Sequence, residues 1–112
     1  MTPIASRILS LTSSQGDRSV KLRIFAPTQD PDGGWNCSYE IDWPGAPRSY
    51  FGAGVDSMQA LIIALQMMGA ELYASNAHKE GRLSFEQPGS GYGMPVPAII
   101  RSALIGNDAK HL

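Results

Sequence analysis

From Trp35 to Trp43 every odd position is apolar or aromatic and every even position is polar. Successive side chains of a strand point to opposite faces, so this alternation predicts a strand with one buried and one wet face. A helix over the same stretch would scatter the apolar groups around its circumference. The chain is therefore constrained to an antiparallel sheet with an apolar layer against one side.

The neighbouring segments supply the other strands. Val20, Leu22, Ile24 and Ala26 share one face of an alternating run, with Lys21, Arg23 and Phe25 on the other, until Pro27 removes a ladder donor. This register sets Lys21 and Arg23 on the same side as Glu40 and Asp42, where opposite charges pair across strands. Ile4–Thr12 reads as a first strand with its alternation broken at Ile8-Leu9, and Ser13–Asp17 as the turn after it. Asp30–Gly34 is a second turn, and Pro44-Gly45 makes a tight reversal, with Pro suited to the second turn position and Gly to the third. A fourth strand is expected over Pro47–Phe51, ended by Gly52-Ala-Gly54, and a short last one over Arg82–Glu86.

The helix is announced by Asp56 as N-cap with Gln59 three residues later, a capping-box pattern. Met58, Leu61, Leu65, Met68 and Leu72 recur at helical spacing as the expected core stripe, with Ile62 beside them. Ile63 and Met67 fall outside it, so the helix is apolar over more than half its circumference. Gly69 in mid-helix implies close backbone approach to the sheet. The helix should end near Ser75-Asn76, where His78 and Lys79 suit the negative end of the dipole. Pro88–Pro95 is a loop by composition, and Pro97 opens a second helix that runs to Ile105 and stops at Gly106. The expected architecture is α+β, one domain over residues 1–112: an antiparallel sheet of about four to five strands, one long helix on one face and a short C-terminal helix.

Composition narrows the function classes. Nine basic against ten acidic residues give a formal net charge of -1, without the basic excess of a typical nucleic-acid binder. Arg7, Lys21, Arg23 and Arg48 could form a basic face only if their strands align. Ala60–Met68 is interrupted by Gln66 and falls short of the ~20 apolar residues that span a bilayer, and the N-terminal segment lacks a signal-like run. A single cysteine, Cys37, forms no internal disulfide and suits a reducing, cytoplasmic setting.

No pattern of reactive groups points to catalysis, a cofactor or a metal. Cys37 lies on the apolar face of its strand with no base tied to it by a motif, as a buried structural thiol would. His78 and His111 have no ligand spacing with it, and His111 falls in an expected frayed tail. Glu40 and Asp42 project alike from one strand, which the facing Lys21 and Arg23 explain as charge pairing. Asp30 and Asp32 are turn formers lacking the later glutamate of a calcium loop. Gly89–Gly93 lacks the Lys-Ser/Thr sequel of a phosphate loop; Tyr92 at its centre is a candidate contact residue.

Trp35-x-Cys-x-Tyr-x-Ile-x-Trp-Pro-Gly followed by Gly54-Val-Asp-Ser-Met-Gln-Ala-Leu resembles a family of small bacterial domains of unknown function, over roughly residues 18–85. The resemblance implies the fold and a bacterial cytoplasmic setting, and carries no catalytic residues with it. Two readings follow. One is a non-enzymatic module that binds a protein partner or a second copy through Ile63 and Met67, unless the C-terminal segment covers them. The other is a small-molecule binder or minor enzyme with a cleft between the sheet and the Gly-Tyr-Gly loop, using Tyr92, Arg48 and Glu40.

Overall fold

The computed structural model describes residues 1–112. Six strands form one antiparallel sheet: β1 (Ala5–Leu11), β2 (Arg18–Ile24), β3 (Thr28–Gln29), β4 (Trp35–Ile41), β5 (Arg48–Gly54) and β6 (Leu83–Ser84). Across the sheet the order is β6, β1, β2, β4, β5, with β3 continuing along β4 beyond the end of β2. The alternation of β4 is realised: Cys37, Tyr39 and Ile41 are fully buried, while Ser38 and Glu40 face outward. On that wet face Arg23 Nη1 lies 2.7 Å from Asp42 Oδ2 and 3.4 Å from Glu40 Oε1. Ala46 N–H donates to the Trp43 carbonyl at 3.0 Å and Gly45 has φ 73°, so the expected reversal is a type II turn.

Between β2 and β3 the chain gains a residue. Ile24 pairs with Tyr39 and Thr28 with Asn36, so Phe25, Ala26 and Pro27 face only Ser38 and Cys37. A bulge of this kind reverses the parity of the strand. Ala26, expected inside, is consequently exposed, and Phe25 is buried apart from the main core.

The glycines after Phe51 do not end β5; it runs through them to Gly54. Their role is to admit the helix. A Cβ on Gly52 would stand 2.8 Å from Ala64 Cα, and one on Gly54 would stand 2.5 Å from the Ala60 nitrogen. Helix α1 (Ser57–Ala74) therefore rests almost backbone to backbone on the edge strand. Its cap is as expected: Gln59 N–H donates to Asp56 Oδ1 at 2.8 Å, and Val55 N–H donates back to Gln59 Oε1 at 2.7 Å. The core-facing stripe is Ala60, Ala64, Met68 and Leu72, rotated from the one expected. Leu61 and Leu65 flank it, whereas Met58 and Ile62 are 65% and 48% exposed. Small residues win the central positions because they face glycine.

After Ser75 come the one-turn helix α2 (Asn76–Lys79) and β6, which pairs with the end of β1. Pro97 then caps a 3-10 helix (Ala98–Ala103) kinked at Ile100, in place of the continuous helix expected to Ile105. Gly106, read as a stop, instead has φ 55° and opens helix α3 (Gly106–His111), so the tail expected to fray is folded. Leu104 is buried and Ile100 half-buried against the main core.

Candidate functional site

The densest polar cluster joins four distant segments. Asp108, on α3, is 2% exposed and accepts three hydrogen bonds: Tyr73 hydroxyl at 2.6 Å and Tyr92 N–H at 2.8 Å on Oδ2, Gly93 N–H at 2.8 Å on Oδ1. The Tyr92 hydroxyl meets His78 Nδ1, and the rings of Tyr73, His78 and Tyr92 stack edge to face or tilted within 4.8–5.5 Å of one another. Burial, then the hydrogen bond to Asp108, push the Tyr73 phenol well up. Burial, then the charge of Asp108, push Tyr92 up to about 12. Burial pulls His78 below its ordinary value. Tyr92 is thus not the accessible loop residue expected from its glycine-rich setting; it is 2% exposed and turned into the core. With Tyr73 and Asp108 also buried, the arrangement pins the tail and the 88–95 loop to α1.

The lowered His78 pKa makes stability pH-dependent with a definite sign. The unfolded chain takes up a proton near pH 6.5 and the folded one only below that, so acidification favours unfolding. Urea midpoints should fall as pH drops through 6.5, and His78→Gln should flatten that slope. An equal slope in both proteins would remove His78 as the cause.

A cleft of about 200 Å³ opens beside the same loop, between β1, β2, α1 and residues 93–95. Arg7 lines it, on the parity of the buried Leu9 and Leu11. Its Nη1 donates to the carbonyls of Tyr92 (3.0 Å) and Gly93 (2.9 Å), and its guanidinium sits 4.5 Å over the Phe85 ring. Leu22, Ile24, Leu65, Met68 and Met94 supply the apolar walls.

The trio Tyr92, Arg48 and Glu40 is not assembled. Arg48 Nε donates to Glu71 Oε1 at 2.7 Å, and Glu71 also accepts from the Tyr39 hydroxyl on the helix side of the sheet. Glu40 stands on the opposite face with Arg23. Arg7, Lys21, Arg23 and Arg48 likewise divide between the two faces of the sheet and do not form one surface. Ile63 and Met67 are half-buried, with Met67 packed on the core. The tail is seated on the helix at Gly69 and Tyr73: Pro95 presses on Gly69, and the Ile105 N–H donates to the Tyr73 hydroxyl at 3.4 Å. The close approach at Gly69 is thus to this loop, and not to the sheet as expected.

The remaining candidate surface is β5 itself. It pairs with β4 along one edge for seven residues and with nothing along the other. Tyr50 and Phe51, each 46% exposed, lie at that free edge with their rings in tilted contact, centroids 5.2 Å apart. No three His, Cys, Asp or Glu side chains are grouped to hold a metal ion, and no helix is long and apolar enough to cross a membrane.

Of the residues that matter here, Arg7 was readable in principle, as an arginine on the buried parity of its strand. The Asp108 cluster left no spacing to find. No curated protein and no solved structure matches the chain. A family model described as a domain of unknown function, DUF6968, matches residues 5–96, which takes in all six strands, α1, Arg7 and the loop through Tyr92. The chain belongs to the DUF6968 family.

Proposed function

We propose that this domain is a non-catalytic binding module that takes up a second copy of itself along the free edge of β5. The observation that carries the reading is the unpaired seven-residue edge, which contains no proline and, as its one charge, Arg48, which is held by Glu71. Proteins commonly blunt such edges with charge, proline or bulges, because unpaired N–H and C=O groups template pairing with another chain. Here the edge is bordered by Tyr50 and Phe51 and leads directly to Val55, Met58 and Ile62, all substantially exposed. Antiparallel self-pairing also brings the Arg48 end of one strand beside the Asp56 exit of its copy, so the charges attract. The lone buried thiol of Cys37 fits action in a reducing compartment such as the cytoplasm.

Light scattering should return twice the 12.0 kDa chain mass for the native protein and the single mass for Phe51→Lys. The substituted side chain is half in solvent, so the unfolding free energy of the monomer should change by only about 0.5 kcal/mol. A native monomer would sink the reading. So would a dimer that survives Phe51→Lys and dissociates with Ile63→Glu, since the helix face would then be the interface.

A further inference from the structure

The cleft at Arg7 goes beyond that reading and is independent of β5. We propose that it binds a small carboxylate carried on an apolar body, with Arg7 as the carboxylate receptor.

An arginine has five N–H donors in a rigid fork. Arg7 commits only Nη1 to the protein, on the two loop carbonyls, and forms no ion pair. The Nε and Nη2 donors are left without a protein partner, and together they make the edge of the fork that matches the two oxygens of a carboxylate. No buried side-chain nitrogen or oxygen in the structure lacks a partner, so this free edge is open to solvent and not stranded in the core. The two carbonyls and the Phe85 ring fix the guanidinium plane before any ligand arrives. Such preorganisation reduces the ordering cost of binding.

The cleft also selects the body of the ligand. Its lining contains no carboxylate; its second cation, Arg23, is already engaged by Glu40 and Asp42. Leu22, Ile24, Met68 and Met94 form apolar walls, which disfavour a compact, strongly hydrated anion such as sulfate. At about 200 Å³ the space lies below the roughly 300–1,000 Å³ of drug-sized sites, so the apolar body is short.

The test is an NMR titration of the full chain, in native form and as the Phe51→Lys variant so that the outcome does not depend on self-association. Hexanoate should shift the amides of Ala5–Arg7 and Gly93–Met94 saturably, while hexanamide and sulfate should not. Arg7→Lys, which keeps charge but loses the fork, should weaken binding by about tenfold or more. Leu65→Phe, which fills the cleft and leaves the Arg7 fork in place, should weaken it too; both variants are first shown to be folded by their amide spectra. An apolar tripeptide with a free carboxyl terminus, compared with its amide, separates a chain end from a free acid as the natural source. Saturable entry of either carboxylate supports the site. Hexanamide binding as tightly as hexanoate, affinity unchanged in Arg7→Lys, or no saturable shift with either carboxylate would each overturn it.

Discussion

Asp108→Ala should destabilise the domain by about 3 kcal/mol or more, the largest single-residue effect expected outside the apolar core. Removing the carboxylate leaves the Tyr73 hydroxyl and the Tyr92 and Gly93 N–H groups without their acceptor in a buried place. Each stranded donor costs about 1–3 kcal/mol. With a total stability of about 5–15 kcal/mol for a domain, such a loss lowers the melting temperature by roughly 10–20 °C. Asp108→Asn should fall between, because its amide retains one acceptor and turns an NH2 towards groups that are already donors. Urea unfolding of the three proteins decides the matter. A loss below about 1 kcal/mol for alanine would show that the tail is held by Leu104 and its apolar neighbours instead.

Gly69→Ala should invert the usual sign of that substitution. In an exposed helix interior, glycine to alanine gains about 1 kcal/mol from backbone entropy. At Gly69 the added methyl would run into the Pro95 carbonyl oxygen, with Val96 Cγ1 3.3 Å away. The loop must lift or the helix must shift, and overpacking of this type costs about 1–3 kcal/mol. Because residues 93–95 also wall the Arg7 cleft, the NMR signals of Gly93 and Met94 should move with the change in stability. A stabilised protein with those signals in place would mean that the loop is not seated on the helix.

What could be read from the sequence is what depends on near neighbours. The β4 alternation, the Asp56–Gln59 cap and the Pro44-Gly45 turn are each complete within ten residues of chain, and all three stand in the structure. The helix stripe was misplaced because apolar weight favours Met58 and Leu61 over Ala60 and Ala64. What chose the alanines is Gly52 and Gly54 on another element, read in isolation as a strand break. Tyr92 shows the same limit. A tyrosine among glycines reads as an exposed tip, and only the arrival of Asp108, sixteen positions later, turns it inward. Arg7 was legible as a charge on a buried parity, but its partners are carbonyls 85 and 86 residues away, which no local pattern encodes.

The bulge at Phe25–Pro27 has an effect on how the molecule opens. It lets one continuous stretch of chain, β2 and then β3, follow β4 along nearly its whole length, while β5 follows the other edge. Even at the gap, Phe25 N–H donates to the Ser38 carbonyl and the Cys37 thiol donates to the Phe25 carbonyl. β4 therefore has no edge from which to fray. Releasing β4 breaks ladders on both sides at once. Such a segment exchanges its amide protons only when the whole domain unfolds. The seven strand residues within the most regular stretch of the sequence should therefore show the slowest amide exchange in the domain.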